Sequence, residues 1–492
     1  MLFLTVTFLF SCGSDDTTVI IDEEPVAEEN PSEDNSSDEG ENTEEEETNT
    51  TEQRQGFLDI LTGETSLTWK IESAVLTNSN GTTDISDNVS IQDDEFIFES
   101  NGDPANDNVA GILTWRKRKG FDLIGGISDD NYYSPETIAF SIDSNIEIVT
   151  PEIQLKISED GTVNGIISFE NNEENTSISI TLKEKSPSDY KTIPAALSFD
   201  FLYDFDFAFS YNKSTGFNGS YKTNSLYLSY RDNAQNRNVY KYDLEDQSLK
   251  SIQISFSESE FISSRLHFYD GKLVVFGSGH ISETDLYLNQ VLTTVTNGLN
   301  QNLSRPGTAS VDSQIYAFGG ELEALGAPLT PLNILKYNND LQGLEQIYVA
   351  DSPRRYTEGT IIDNSLYIVG GQYYITDSPV TYVPNILVYN LSNKSTEFIN
   401  LNFDLGFTSV ARYENLIFFA GQTPSIENNM VLYFGAYDTY TGNLSEIPIT
   451  LENINNEDVS IVAMTILNNK LYLALQTSSG TITSQVVDLS EI

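Results

Sequence analysis

Six segments in the second half of the chain share one pattern, a turn followed by an apolar strand that in most cases ends in a small residue. They are Asn224-Ser225-Leu226-Tyr227-Leu228, Gly271-Lys272-Leu273-Val274-Val275-Phe276-Gly277, Gln314-Ile315-Tyr316-Ala317-Phe318-Gly319-Gly320, Ser365-Leu366-Tyr367-Ile368-Val369-Gly370-Gly371, Asn415-Leu416-Ile417-Phe418-Phe419-Ala420-Gly421 and Lys470-Leu471-Tyr472-Leu473-Ala474-Leu475. Their first apolar residues lie at positions 226, 273, 315, 366, 416 and 471, which gives steps of 47, 42, 51, 50 and 55 residues. A repeat near this length, with sequence for four strands per step, predicts a β-propeller.

A second landmark follows the first by 16 to 23 residues in most repeats. It is an aromatic or apolar residue followed by Asp or Asn, at Tyr242-Asp243, Tyr337-Asn338, Tyr389-Asn390, Tyr437-Asp438 and Val487-Asp488. Together the landmarks resemble the kelch repeat, in which a glycine pair ends the second strand and the tyrosine lies in the third. Only two repeats keep both glycines, and the tryptophan usual in the fourth strand is missing. The resemblance implies a divergent kelch-like propeller over residues 196–492, with glycine where neighbouring chains leave no room for a Cβ atom.

The last repeat ends soon after its third strand, so a fourth strand must come from another part of the chain. Alternating aromatic residues at the start of the domain can supply it, at Phe199, Phe201, Tyr203, Phe205, Phe207 and Phe209. This pairing would close the ring and leave no strand edge open. We therefore expect six blades. Five or seven stay open, because the second repeat lacks a clear Tyr-Asp landmark.

Residues 56–186 alternate apolar and polar positions, and Asn80-Gly81, Asn101-Gly102 and Asp160-Gly161 separate the segments. This alternation, which repeats every two residues and is interrupted by such turns, predicts antiparallel hairpins and no helix of useful length. Leu61-Thr62-Gly63, Trp69-Lys70-Ile71 and the acidic-aromatic run at 93–98 resemble the lipocalin-like domain of Bacteroidota lipoproteins, which implies a small antiparallel barrel or sandwich. Trp69 and Trp115 fit a core better than a ligand cavity. The basic run Arg116-Lys117-Arg118-Lys119 is expected to form a solvated hairpin turn, and residues 187–195 a linker.

The N-terminus predicts export. Residues 2–10 are apolar apart from two threonines, too short to span a bilayer but suited to a signal peptide over residues 1–11. Leu9-Phe10-Ser11-Cys12 contains the only cysteine and resembles the lipobox of bacterial lipoproteins, which implies a lipid on Cys12. Gly13-Ser14-Asp15-Asp16 resembles the acidic tag of Bacteroidota surface lipoproteins, which implies the outer membrane and its outer face. Residues 12–55 should form a flexible acidic stalk, since 17 Asp and Glu and no Lys or Arg lie between positions 13 and 53.

The composition of the chain limits the ligands and the kinds of active site that it can have. The net charge of −49 disfavours nucleic acid as a partner, because phosphate binding needs clustered Lys and Arg. With Cys12 reserved for lipid and only His267 and His280 present, the sequence predicts neither thiol catalysis nor a metal or cofactor site built on Cys or His. His280 is better explained as a loop residue than as a general base. Calcium at residues 103–108 and a carboxylate pair for glycoside hydrolysis stay open, but no spacing singles out particular residues.

Propeller geometry indicates a candidate binding face. The loop between strands two and three emerges on the same side as the connection into the next blade's first strand. In the third and fourth repeats these segments carry Arg305, Arg354, Arg355, Tyr373, Tyr374 and Tyr382. Arginines beside tyrosines suit carboxylates or sugar rings. The alternative is that the arginines pair with the protein's own carboxylates.

These observations predict a binding or interaction protein, tethered to the membrane through lipid on Cys12, that presents one propeller face to a glycan, peptide or protein. A carbohydrate-active enzyme is an alternative, since some kelch-like propellers epimerise sugar acids and sialidases also have six blades with arginine clusters. A structural component of an envelope complex is another. The fold does not decide among them.

Overall fold

The computed structural model describes residues 42–101, 110–122, 127–143, 145, 147–158, 162–168, 176–208, 216–231, 237–254, 264–269, 271–277, 280–296, 303–304, 306–322, 332–338, 343–350, 352–373, 380–424, 430–456 and 459–492. Cys12, the acidic tag, the calcium candidate at 103–108, Arg305 and Tyr374 lie outside these residues. Among the described residues, no helix is both long and apolar enough to cross a bilayer.

The chain first forms a barrel. Its strands are β1 (Ser66–Asn78), β2 (Gly81–Asp84), β3 (Glu95–Ser100), β4 (Gly111–Arg116), β5 (Lys119–Asp122), β6 (Ile127–Tyr132), β7 (Glu136–Ile142), β8 (Glu147–Val149), β9 (Ile153–Ile157), β10 (Val163–Ser168) and β11 (Ser177–Glu184). Eight of these pair in the ring β1-β3-β4-β7-β8-β9-β10-β11, and β11 returns to β1 with Trp69 opposite Glu184. Strand β2 pairs antiparallel with the C-terminal end of β1, while β5 and β6 form a separate hairpin. Because this ring of strands is closed, the domain is a barrel and not a sandwich.

The barrel interior is filled by the alternating residues of its strands. Trp69 and Trp115 both belong to this core, where Trp115 stacks on Phe96 with ring centres 5.4 Å apart. The Trp115 indole N–H donates to Asp94 and that of Trp69 to the carbonyl of Leu61. Both tryptophans are therefore core residues with satisfied indoles.

A helix precedes the barrel, although the alternating pattern predicted none here. Helix α1 (Asn42–Thr62) begins inside the segment predicted to be a disordered stalk and crosses the predicted boundary at residue 56. Phe57, Leu58 and Leu61 join the barrel core, and their i, i+1, i+4 spacing places them on one helix face. Three core residues were too few to give a helical signal in so acidic a segment. A second short helix, α2 (Val89–Gln92), and a 3₁₀ turn at Pro187–Asp189 also lie among the described residues.

The propeller follows from β12 (Leu197–Ala208). In chain order its strands are β13 (Gly216–Ser220), β14 (Ser225–Arg231), β15 (Arg237–Asp243), β16 (Leu249–Ile254), β17 (Ser264–Tyr269), β18 (Lys272–Gly277), β19 (His280–Asp285), β20 (Val291–Thr296), β21 (Leu303–Ser304), β22 (Gly307–Val311), β23 (Gln314–Phe318), β24 (Glu321–Leu322), β25 (Leu332–Asn338), β26 (Gly343–Ala350), β27 (Glu358–Ile362), β28 (Ser365–Val369), β29 (Gln372–Tyr373), β30 (Thr381–Asn390), β31 (Thr396–Tyr413), β32 (Leu416–Pro424), β33 (Met430–Asp438), β34 (Leu444–Glu446), β35 (Ile449–Leu451), β36 (Val459–Leu467), β37 (Lys470–Thr477) and β38 (Thr481–Asp488).

Six four-stranded antiparallel blades are present among the described residues: β13-β14-β15-β16, β17-β18-β19-β20, β22-β23-β25-β26, β27-β28-β30-β31, β31-β32-β33-β34 and β36-β37-β38-β12. Strand β31 is long enough to end the fourth blade and begin the fifth. The six first strands contact one another in order around a closed ring. The predicted all-β fold, a barrel followed by a six-bladed propeller, is confirmed.

Ring closure follows the predicted route. Strand β12 pairs antiparallel with β38, with Asp200 opposite Val486 and Phe201 opposite Gln485. Phe199 is fully buried in the core of the fifth and sixth blades. A strand from the start of the domain thus completes the blade at its end, and this pairing covers an edge that would otherwise be open.

The sequence landmarks correspond to fixed places in the blades. All six turn-plus-apolar segments lie at the second strands, and the Tyr-Asp landmark ends the third. Asp243, Asn390 and Asp438 each accept backbone N–H groups from the turn that follows. In the second blade Asp285 does the same for Tyr287 and Gln290, so the missing landmark lacks only its tyrosine. The landmark is an Asx turn that caps the third strand.

The barrel docks on the propeller face that carries the turns between first and second strands. Asp130 in β6 accepts from the Ser220 hydroxyl and the Tyr221 amide, both at 2.7 Å. Ser134 donates its hydroxyl to Asp312 at 2.5 Å. The barrel and propeller lie within one compact unit, residues 50–492.

The prediction of a solvated turn at Arg116-Lys117-Arg118-Lys119 was wrong. Arg118 and Lys119 are only 4% and 6% exposed. Arg116 and Arg118 pair with the buried Glu95 at 3.1 Å, and Arg116 also reaches Asp363 of the fourth blade at 3.4 Å. The run spans the end of β4 and the start of β5, and it joins the barrel to the propeller because Asp363, in a turn of the fourth blade, adds a partner to those inside the barrel.

Candidate ligand-binding site at the propeller mouth

A channel runs through the centre of the propeller. It encloses a cavity of about 140 Å³ lined by residues from all six first strands. Lys119, Asp130 and Tyr132 of the barrel hairpin line the end where the barrel docks. The opposite end, which we call the mouth, is formed by the loops between second and third strands and the connections into each first strand.

The channel wall carries a largely buried ion pair. Arg265 in β17 pairs with Glu358 in β27 through Nε and Oε2. The other oxygen of Glu358 accepts the Thr308 amide at 3.1 Å. Burial raises the pKa of Glu358, and the charge of Arg265 opposes that shift. The carboxylate is therefore fixed in position within the channel.

His267 lies beside this pair and is neutral. Its Nε2 is 2.8 Å from the Thr308 hydroxyl, and its Nδ1 is 3.2 Å from the Ser310 hydroxyl. Burial, together with the nearby charge of Arg265, lowers the pKa of His267 to about 3. Both ring nitrogens are occupied by hydroxyls of the neighbouring blade, so His267 has a structural place in the wall. The side chain of His280 lies outside the described part of the chain.

Three of the predicted site residues meet at the mouth. The backbone of Arg355 forms a bridge with Gln372, and Gln372 pairs in turn with Tyr382, while Tyr373 follows in β29. All three predicted side chains are partly exposed. Burial raises the pKa of the Tyr382 hydroxyl, and the charge of Arg355 opposes this, which places the two groups within electrostatic reach. The predicted grouping of arginine and tyrosines thus exists for Arg355, Tyr373 and Tyr382.

Arg354 has a different environment from its neighbour. It is 2% exposed, and its Nη1 donates to the carbonyls of Ile368 and Gly370, both at 3.3 Å. Its Nη2 donates to Ser352 and to the Asn385 side chain, both at 3.0 Å. Burial lowers the pKa of Arg354 to about 9. Arg354 therefore fixes the connection from the third blade against the fourth blade, and its guanidinium is engaged by carbonyls and polar side chains of the protein itself.

Two aromatic residues at the mouth were missed by the sequence analysis. Tyr356 and Phe407 pack with ring centres 4.5 Å apart and an interplanar angle of 45°, and the Arg355 guanidinium lies 5.4 Å from the Tyr356 ring centre. Both residues have left-handed backbones, with φ of 50° and 53°. Bulky side chains rarely adopt this conformation, and the strain of about 1–3 kcal/mol tends to concentrate at ligand sites.

Tyr356 and Phe407 occupy equivalent positions in two successive repeats. Tyr356-Thr357 and Phe407-Thr408 precede equivalent first strands, and both threonine hydroxyls donate to the carbonyl of Val369, at 2.8 and 3.0 Å. Aligning the fourth and fifth repeats beyond their glycine landmarks would have revealed this aromatic-threonine pair.

Tyr382 is seated on a glycine. A Cβ atom at Gly406 would lie 2.5 Å from Cδ1 of Tyr382, so the ring contacts the backbone at the start of the fifth blade and leaves no room for a side chain there. Among the described residues, the mouth therefore combines the guanidinium of Arg355 with aromatic rings from adjacent blades, namely Tyr356, Tyr373, Tyr382 and Phe407. Within the described residues, no group of three or more His, Cys, Asp or Glu is arranged to hold a metal ion.

The chain was compared with protein families, curated proteins and solved structures. No protein-family profile and no curated protein matches the sequence. Among solved structures, one described as "Structure of YjhT" is similar, with 11% sequence identity, 58% of this chain covered, 97% of that chain covered and a TM-score of 0.44. The kelch-like and lipocalin-like family assignments remain predictions.

Proposed function

We propose that this protein is a membrane-tethered, extracytoplasmic binding protein that captures a glycan at the propeller mouth. The observation that carries the proposal is the cluster of Arg355 with Tyr356, Tyr382 and Phe407, two of whose aromatic residues have strained backbones. Aromatic faces stack on the apolar faces of sugar rings, and a guanidinium donates paired hydrogen bonds to hydroxyl or carboxylate oxygens. A peptide or protein ligand is the alternative occupant of the same surface.

Net charge restricts the glycan. A chain with a charge of −49 repels polyanions over several ångströms at physiological ionic strength. A neutral glycan, or one with a single carboxylate near Arg355, fits the mouth better than a polysulfated or polyuronic chain.

Glycan-array binding followed by titration calorimetry tests the mouth. We expect Arg355→Ala and Tyr382→Ala each to weaken a hit at least about fivefold, because stacking and charge-assisted contacts each contribute about 1–3 kcal/mol when desolvated. Tyr287→Ala is the matched control, since this exposed tyrosine follows the third strand of its blade on the opposite face. Undiminished binding in both mouth variants would rule out this surface.

The tether is tested separately. Cys12→Ser should move the protein from the membrane fraction to the soluble fraction and abolish incorporation of labelled palmitate. Surface exposure is measured by protease digestion of intact cells. Retention of the Cys12→Ser protein in membranes would contradict lipid anchoring.

A carbohydrate-active enzyme is the second candidate, and Glu358 is the observation that favours it. A largely buried carboxyl group with a raised pKa beside an arginine is a suitable acid or base for a sugar ring. Glu358→Gln should then abolish turnover of any array hit while leaving its binding within a fewfold of the wild type. Absence of any product from wild-type protein incubated with the hit would leave binding as the function.

A further inference from the structure

We propose that the barrel end of the channel is a second binding site, in which Arg412 holds a small monocarboxylate anion. This site lies at the opposite end of the first strands from the mouth, so it does not depend on the proposed glycan site.

Arg412 is buried and incompletely paired. It lies near the end of β31 and is 7% exposed. Nη1 donates to the carbonyl of Ile361 at 2.8 Å, and the guanidinium lies 4.5 Å from the ring centre of Tyr132 on the barrel hairpin. Nη2 has no hydrogen-bond partner within the described part of the protein. A buried donor on a charged group is costly to leave unsatisfied, which indicates a partner of another kind.

The positive charge of Arg412 is not balanced by the carboxylates that line the cavity. The charged lining residues are Lys119, Arg265 and Arg412 against Asp130 and Glu358. Glu358 is paired with Arg265, and Asp130 is held by Ser220 and Tyr221. His267 adds no charge at neutral pH, since burial lowers its pKa to about 3.

Two carboxylates outside the cavity act on Arg412 without a direct ion pair. Asp363 pairs with Arg116 and Arg118 of the barrel. Burial raises the pKa of Asp93 to about 7, so this group is only partly ionised near neutrality. Neither supplies the missing hydrogen-bond acceptor at Nη2.

The cavity sets the size of the anion. At about 140 Å³ it is close to the roughly 150 Å³ that accommodates benzene in an engineered protein cavity. Polar side chains line it, including Ser310, Thr360 and Thr465, so it suits a polar occupant. A carboxylate can accept from Nη2 in the plane of the guanidinium. Two- to four-carbon carboxylates therefore match the cavity in charge and volume.

Titration calorimetry on the intact protein tests this site with sodium acetate at constant ionic strength, with acetamide as the neutral isostere. We expect saturable binding of acetate, at least tenfold weaker binding of acetamide, and at least tenfold weaker acetate binding in Arg412→Gln. Arg412→Lys should fall between the two, since it keeps the charge but loses the planar donor pair. Arg54→Gln, on the helix before the barrel, is the matched control and should bind acetate as wild type does.

Equal binding of acetate and acetamide by the wild type would overturn the proposal, and this outcome can be observed even if Arg412→Gln fails to fold. Acetate binding that survives in a folded Arg412→Gln protein would overturn it as well. A crystal soaked in acetate that shows only water at Nη2 would identify water as the missing partner and refute an anion site.

Discussion

At the scale of single residues, Arg354 and Arg355 show how adjacent identical side chains can have separate roles. Both stand in the connection into the fourth blade, and both carry the same sequence signal for a basic mouth. The backbone bridge between Arg355 and Gln372 holds this segment extended, so that successive side chains point in opposite directions. Arg354 is therefore buried against the fourth blade, while Arg355 is partly exposed. Sequence predicted the cluster, but the orientation of each arginine depends on a pairing between segments seventeen residues apart.

Arg354 should therefore matter for stability and Arg355 for binding. Arg354→Ala removes the donor for the carbonyls of Ile368 and Gly370 and leaves a cavity, and we expect a loss of about 2–4 kcal/mol in the free energy of unfolding. Arg355→Ala should cost less than about 1 kcal/mol, because its side chain is partly solvated. Urea denaturation followed by far-UV circular dichroism, which reports on the strands of the propeller, measures both. Equal losses in the two variants would refute the assignment.

At the scale of the elements, the glycine pair sets the distance between blades. Gly319 and Gly320 have φ of 65° and 85°, and the Gly320 amide donates to the carbonyl of Arg354 in the connection into the next blade at 2.9 Å. A Cβ atom on Gly319 would overlap the same carbonyl oxygen. The glycine positions and the strands they end could thus be predicted from the repeat, because one steric requirement recurs in two blades.

Substitution at two glycines separates steric overlap from backbone strain. Gly442 also has a left-handed backbone, with φ of 74°, but a Cβ atom there would meet nothing within 4 Å. Gly442→Ala should cost about 1 kcal/mol, which is the conformational penalty alone. Gly319→Ala should cost at least about 2 kcal/mol more, since the connection that carries Arg354 must move. Thermal unfolding by calorimetry compares the two, and similar melting temperatures would contradict a role for Gly319 in blade spacing.

At the scale of the whole molecule, docking of the barrel is what sequence reasoning did not predict. Strand alternation and the fifty-residue repeat arise inside each domain, so they describe the barrel and the propeller separately. The interface is built from charged residues such as Arg118, Asp363 and Asp130, and in sequence these resemble any solvated loop. The same docking closes one end of the channel and creates the Arg412 site, which could not be inferred from the chain alone.

The interface also predicts a dependence of stability on pH. Asp93 is buried where α2 meets the propeller, facing Arg412 and Glu414 of the fifth blade, Arg118 of the barrel and the backbone amide of Lys119. Burial raises its pKa to about 7 from 3.8, and the two arginines only partly oppose the shift. Between these pH values the folded protein holds a proton that the unfolded chain has released. This contribution to stability is therefore complete below pH 3.8 and is lost as the pH rises to about 7.

Asp93→Asn should remove that dependence, because an amide keeps an acceptor for the Lys119 N–H and cannot ionise. We expect the variant to gain stability relative to wild type as the pH rises from 5 to 8, by at most about 3 kcal/mol, because about two pH units separate pH 5 from the pKa of about 7. Urea midpoints at pH 5, 6, 7 and 8 measure the difference. Asp246→Asn is the control, since this exposed carboxylate has a lowered pKa and does not titrate in that window. A stability difference between Asp93→Asn and wild type that is constant across these pH values would show that Asp93 is ionised throughout and that the arginines around it outweigh its burial.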